Sequence, residues 1–234
     1  MILKNYSITL PSYSIGDNVY SKIGEICEPY GKKVICIGGK TEISKVRDLI
    51  INECNGTSLE ILDFLWYGGD ATYENVNTLK ENELVKKADI IFGIGGGKAL
   101  DTAKALAYIT NKEIFTFPTI ASNCAGTTAV SIMYNADGSF KEPFFFTAPA
   151  RHCFIYTPVI AKSPAKYMWA GIGDTYAKYF EAEMSSRGED LVHYHALGVT
   201  TSQMCLTPLL KYGKKALDDF KSGTASFEVE QVVL

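Results

Sequence analysis

Residues 88–110, ADIIFGIGGGKALDTAKALAYIT, read as strand, glycine turn and helix. Ile90, Ile91, Phe92 and Ile94 form a short apolar run that suits a strand buried on both faces of a parallel sheet. Gly95, Gly96 and Gly97 follow directly. From Lys98 onward Ala99, Leu100, Ala103, Leu106 and Ala107 recur at steps of three and four, the period of a helix with one apolar face. Glycines carry no Cβ, so the backbone can bend sharply and come close to a ligand. The helix start presents unpaired N–H groups and a partial positive charge, which together suit a phosphate or pyrophosphate. The same three glycines also serve a tight turn that binds nothing, and a glycine triplet alone does not separate the two. Lys98 is either a point charge for phosphate or a solvated first-turn residue. Asp101 favours the helix dipole with or without a ligand.

The same alternation extends outward from this stretch. A short edge strand is expected over Tyr6–Leu10, a helix over Asp17–Cys27, and a strand over Val34–Ile37 ending at Gly38 and Gly39. A helix over Ile43–Glu53, a strand over Leu59–Leu65 and a helix over Tyr73–Lys87 come before the central strand, and Ile114–Phe117 follows its helix. Strand and helix in turn predict a parallel sheet with helices on both faces, with ligands beyond the carboxyl ends of the strands. The segment PTIASNCAGTTAVSIMYN, residues 118–135, is rich in small hydroxylated residues, as either a ligand-approaching loop or a self-capped connector would be. Asp137-Gly138 predicts a hairpin, and Phe144–Phe146 and Cys153–Tyr156 read as strands. Beyond Ile160 the pattern is helical, over Pro164–Ser186 and Glu189–Tyr212 and then in shorter pieces. The expected division is therefore an α/β domain over residues 1–160 and an all-helical domain over 161–234. The apolar terminus SFEVEQVVL reads as the opening of a further helix, so the helical domain is expected to be incomplete.

Composition narrows the function classes. The chain has 234 residues, 47% hydrophobic and 21% charged, with a formal net charge of −3, which gives no reason to expect nucleic acid or a membrane as partner. No basic-then-apolar leader and no membrane-length apolar run is present, and a cytoplasmic location is expected. Six cysteines form no C-x-x-C pair, which argues against a structural zinc site and fits a reducing compartment. His193 and His195, two apart on an expected helix, point to different faces and suit partial exposure better than a shared metal.

Three phrases in order, GIGGGKALDTAKA, FPTIAS and MWAGIGDTYAKYFEAE, resemble the glycerol dehydrogenase branch of the iron-containing alcohol dehydrogenase superfamily. The resemblance implies a dinucleotide-binding α/β domain followed by a helical domain. It also implies hydride transfer between a small polyol or alcohol and NAD or NADP, with a divalent metal in the cleft and a homo-oligomeric assembly. On this resemblance Gly95, Gly96, Gly97 and Lys98 hold the pyrophosphate. Thr119, Ser122, Thr128, Val130 and Tyr134 line the adenosine and nicotinamide parts, and Asp174 is a catalytic metal ligand. Relatives add two histidines, which this sequence does not reach. Lys178, where the iron-dependent branch tends to carry a histidine, favours zinc over iron. Cys124 stands where glycerol dehydrogenases usually show an aspartate, either altering substrate or metal contact or simply packing. Gly39 stands where relatives often carry an acid for the ribose, which leaves NAD and NADP both open. Read without the resemblance, Asp174 after Gly173 suits a helix N-cap. Two other readings remain: a dinucleotide-binding module without catalysis, and a phosphorylated-substrate enzyme such as a dehydroquinate synthase or glycerol-1-phosphate dehydrogenase.

Overall fold

The computed structural model describes residues 7–234. Eight strands occur among these residues: β1 (Tyr13–Gly16), β2 (Lys33–Gly38), β3 (Glu60–Trp66), β4 (Ile90–Gly95), β5 (Glu113–Pro118), β6 (Val130–Tyr134), β7 (Phe140–Phe145) and β8 (His152–Tyr156). Six of them form one sheet in the order β1-β8-β5-β4-β2-β3, with every neighbouring pair parallel. β6 and β7 form a separate antiparallel hairpin. The helices are α1 (Ile23–Cys27), α2 (Lys40–Cys54), α3 (Tyr73–Lys80), α4 (Glu83–Lys87), α5 (Gly97–Thr110), α6 (Thr157–Ala161), α7 (Ala165–Ser186), α8 (His193–Ser202), α9 (Thr207–Lys221) and α10 (Phe227–Val233).

The period-2 geometry of a strand sorts the core into two layers. On β2, Val34 and Cys36 face one cluster with Ile23 and Cys27 of α1 and Val46, Ile50 and Cys54 of α2. Ile35 and Ile37 face the opposite cluster with Val76 and Leu79 of α3, Ala103, Leu106 and Ala107 of α5, and Met133 of the hairpin. The first cluster continues without a break into the C-terminal helices through Met168, Ala216, Phe220 and Val229. Helices thus cover both faces, as the alternation predicts. Past β8 the described chain is helical throughout.

Four expectations are corrected. The strand expected over Tyr6–Leu10 starts at Tyr6, outside the described residues; Ser7–Leu10 form no strand, and the edge strand is β1, in register with β8 after Pro11. The single helix over Tyr73–Lys87 is two, because Asn82 caps α4, its Oδ1 accepting from the N–H groups of Leu84 at 2.8 Å and Val85 at 3.4 Å. The helix over Glu189–Tyr212 also divides: α9 restarts at Thr207 with Pro208 in its first turn, the position proline tolerates in a helix. Asp174 is no N-cap. α7 starts at Ala165, so Asp174 lies well inside the helix.

Candidate active site

The glycine turn forms at the carboxyl end of β4, in the middle of the sheet. Gly95 has φ +141°, and a Cβ there would come 2.9 Å from the Ala99 Cβ, so the bend requires glycine. Gly96 caps α5 with no side-chain hydrogen bond, which leaves the first-turn N–H groups of the helix without a partner inside it. Gly96 and Gly97 keep partial exposure. A Cβ on Gly96 would lie 2.5 Å from Ile120 Cδ1, and one on Gly97 would lie 2.5 Å from Asn123 Nδ2. The bare backbone therefore lets the 119–124 loop close down beside the helix mouth. Thr119 donates its N–H to Gly95 O at 3.1 Å, and its hydroxyl is buried with no partner among the described residues. Such an orphan beside the turn suits a polar ligand.

Lys98 is exposed on the first turn of α5. Its Nζ lies 2.7 Å from Asp70 Oδ2 and 4.7 Å above the Tyr134 ring. The structure thus brings Lys98 and Tyr134 together at the turn. Thr128 and Val130 stand farther down α5, where they receive Lys104. Its Nζ donates to Val130 O at 2.5 Å and to Thr128 O and Oγ1 at 3.4 Å each, and pairs with Asp101 Oδ1 at 3.1 Å. Asp101 Oδ2 accepts from Ile132 N–H at 3.3 Å, and Ser131 Oγ donates to Asp101 O at 2.9 Å. Both charges are out of water, with side-chain exposures of 2% for Lys104 and 9% for Asp101. Burial pushes the Lys104 pKa down and the Asp101 pKa up, and each partner's charge opposes that drift. The sequence suggested only a dipole role for Asp101. Here it is half of a buried clamp that fastens the hairpin to α5.

A cleft of about 450 Å³ opens where the loop after β5 meets the helical region. Asn123, Cys124 and Thr127 line it from one side, and Asp174, Lys178 and Cys205 from the other. α7 comes this close because Gly171 has no side chain: a Cβ there would overlap the Ala121 carbonyl oxygen, with Ser122 Cα 3.2 Å away. Asp174 stands one turn beyond Gly171, and its Oδ1 is 3.7 Å from Lys178 Nζ. Lys178 pairs more tightly with Glu181, at 2.8 Å. Cys124 is exposed and Cys205 partly so. Burial, with a smaller push from Cys124, holds the Cys205 thiol pKa above its usual value. Among the described residues no three His, Cys, Asp or Glu side chains gather to hold a metal ion. Asp174 is a single hard-oxygen group in the cleft and does not make a metal centre by itself. His193 and His195 are both exposed on the first turn of α8. His152 is buried, with Ser12 Oγ 2.7 Å from Nδ1 and Ser14 Oγ 2.9 Å from Nε2.

Residues 11–153, more than half of the chain, match the family model described as iron-containing alcohol dehydrogenase. The chain belongs to that family. Among curated relatives it is 34% identical over 171 residues to a glycerol dehydrogenase of Thermotoga maritima, a match covering 71% of this chain and 47% of that protein. It is 27% identical over 225 residues to a glycerol dehydrogenase of Escherichia coli, covering 94% of this chain and 61% of that one. The chain thus spans about half to three fifths of the length of these relatives. The crystal structure of glycerol dehydrogenase from Schizosaccharomyces pombe superposes with a TM-score of 0.86 at 24% identity, covering 99% of this chain and 60% of that one, a likeness of fold. Glycerol dehydrogenases, the branch that its three phrases resemble, are thus among the relatives this chain matches. Local reading of this iron-containing alcohol dehydrogenase relative missed two groups at the turn, Asp70 and Glu42. Neither lies in a motif: Asp70 comes from the loop after β3, and Glu42, in the first turn of α2, lies 3.7 Å through its Cγ from where a Cβ on Gly95 would stand. The Asp101–Lys104 pair carried a signal, two opposite charges three apart inside an otherwise apolar helix.

Proposed function

We propose that this chain forms the dinucleotide-binding part and one wall of the substrate cleft of a metal-dependent oxidoreductase. The reaction is hydride transfer between a glycerol-like polyol or alcohol and NAD(P). The carrying observation is the convergence, at the carboxyl end of the central strand, of an uncapped helix mouth, a glycine bend and the Lys98 ammonium. Gly95, Gly96 and Gly97 hold the pyrophosphate by backbone approach. Lys98 supplies a cation, giving up part of its pairing with Asp70. Thr119, Ser122, Thr128, Val130 and Tyr134 line the adenosine and nicotinamide parts, and the buried Thr119 hydroxyl gives one unspent donor. The bound nicotinamide supplies the hydride chemistry, and the protein's share is to orient it and exclude water. Asp174 faces the same cleft and contributes one hard oxygen toward a divalent cation, zinc rather than iron. The division into residues 1–160 and 161–234, a cytoplasmic location and a homo-oligomeric state belong to the same reading.

The experiment is a fluorescence titration of the chain with NADH, beside Gly97→Val. Micromolar binding by the wild type, lost in the variant while its circular dichroism is kept, supports the reading; no binding by the wild type refutes it. A second reading is favoured by the lack of a three-ligand cluster among the described residues: this chain binds the dinucleotide and performs no oxidation by itself. Cofactor binding without binding of zinc, and without turnover of glycerol, is its signature.

A further inference from the structure

We propose that Glu42 is the specificity residue for the adenosine end of the dinucleotide: its carboxylate receives the ribose hydroxyls and turns away a 2′-phosphate, so the site selects NAD over NADP. This rests on the dinucleotide reading above. In open parallel sheets an acid near a strand end reads the ribose diol. β2 ends at Gly38, and Gly39 offers no side chain at that place. A Cβ built on Gly39, however, would overlap Glu42 Oε2. The Glu42 carboxylate is folded back from the first turn of α2 and fills the direction a side chain at 39 would take. A Cβ on Gly95 would lie 3.7 Å from Glu42 Cγ and 3.9 Å from its Cβ. The side chain therefore spans the carboxyl ends of β2 and β4, which are neighbours in the sheet.

Three further observations agree. Glu42 lies in the first turn of α2, where the helix dipole favours a negative charge. No side chain or backbone N–H among the described residues hydrogen-bonds or ion-pairs with its carboxylate, so both oxygens are open to hydroxyl donors. Lys40, two residues earlier on the helix, has its Nζ 4.8 Å from the Trp66 ring centroid and so is engaged there. A carboxylate accepts two O–H bonds from a diol, whereas a phosphate dianion placed against it suffers like-charge repulsion.

The test titrates the full chain with NADH and with NADPH. The wild type is expected to bind NADH about tenfold or more tightly over NADPH, the scale of one like-charge contact at a part-exposed site. Glu42→Gln should bring the ratio near one, and Glu42→Lys should reverse it. Gly39→Asp with Glu42→Ala should restore it, because the shortened residue 42 clears the place to which residue 39 points, and the φ of −76° at 39 suits any side chain. Wild-type binding of NADPH as tight as NADH, or an unchanged ratio in whichever Glu42 variant folds, overturns the proposal. Binding of neither dinucleotide by the wild type overturns the dinucleotide reading and this proposal with it. Binding of both at equal strength overturns this proposal alone.

Discussion

Replacing Lys104 by methionine should be among the most damaging single changes in the chain. The methionine keeps most of the stem volume and removes the charge. It leaves Asp101, 9% exposed, without its cation beside the 3.3 Å contact from Ile132 N–H and the nearby Ser131 hydroxyl, and leaves Val130 O without its 2.5 Å donor. Stranding one member of a buried pair costs about 3–5 kcal/mol, set against a total stability of about 5–15 kcal/mol for a typical domain. Removing both charges, with Asp101→Asn and Lys104→Met, should recover a large part of that loss, since the introduced amide oxygen can still accept from Ile132 N–H and no lone charge remains. Urea unfolding followed by circular dichroism gives the four stabilities of the cycle. A coupling of roughly 2 kcal/mol or more is expected. If Lys104→Met lost under about 1 kcal/mol, or the double variant were no better than the single, the clamp would contribute no more than a surface pair, and the reasoning would fail.

Gly171→Val drives a side chain into the Ala121 carbonyl and should lift α7 off the 119–122 loop, costing about 1–3 kcal/mol by overpacking; an unchanged thermal midpoint counts against that contact. Burial, then the Lys22 charge, lowers the His152 pKa. The unfolded chain therefore binds the proton first, and stability is lost as pH falls below about 6.5 toward the lower folded value, then levels off. His152→Gln should flatten that part of the stability profile, and equal slopes for the two proteins would contradict it. Cys124 should react first with Ellman's reagent and Cys205 more slowly. Cys27, Cys36, Cys54 and Cys153 are buried, with thiols raised to about 12 for Cys54 and about 11 for Cys153, and should stay silent until unfolding. Four fast thiols would refute the placement of the core.

The sheet was legible because a parallel strand covered on both faces must be apolar at every position, as Val34–Ile37 and Ile90–Ile94 are. The glycine turn was legible for a like reason: only the bend itself requires Gly95. Helix breaks were harder. Asn82 and Pro208 are tolerated at helix starts as readily as they end helices, so their neighbours read as continuous. Asp174 misled by its surroundings. AGIG looks like a loop before a helix, but its first glycine is an interior helix position cleared for Ala121. Thr128 and Val130 were named for the cofactor, and their observed contacts are to Lys104. That arrangement depends on a hairpin some thirty residues downstream, which no local period encodes. Glu42 escaped because its relevance comes from where its side chain folds, over a glycine three residues earlier.

β5 and β8 lie side by side, with Phe115 opposite His152 and Thr116 opposite Cys153, yet the whole stretch from Thr119 to Arg151 intervenes in the chain. The excursion leaves the scaffold and re-enters it at adjacent seats, so its length has little bearing on how the frame closes. It carries the Thr119–Asn123 loop, Cys124 and the hairpin, most of what gives this mouth its chemical character. The arrangement amounts to an exchangeable cartridge, open to retooling for a different ligand while the frame beneath keeps its alignment.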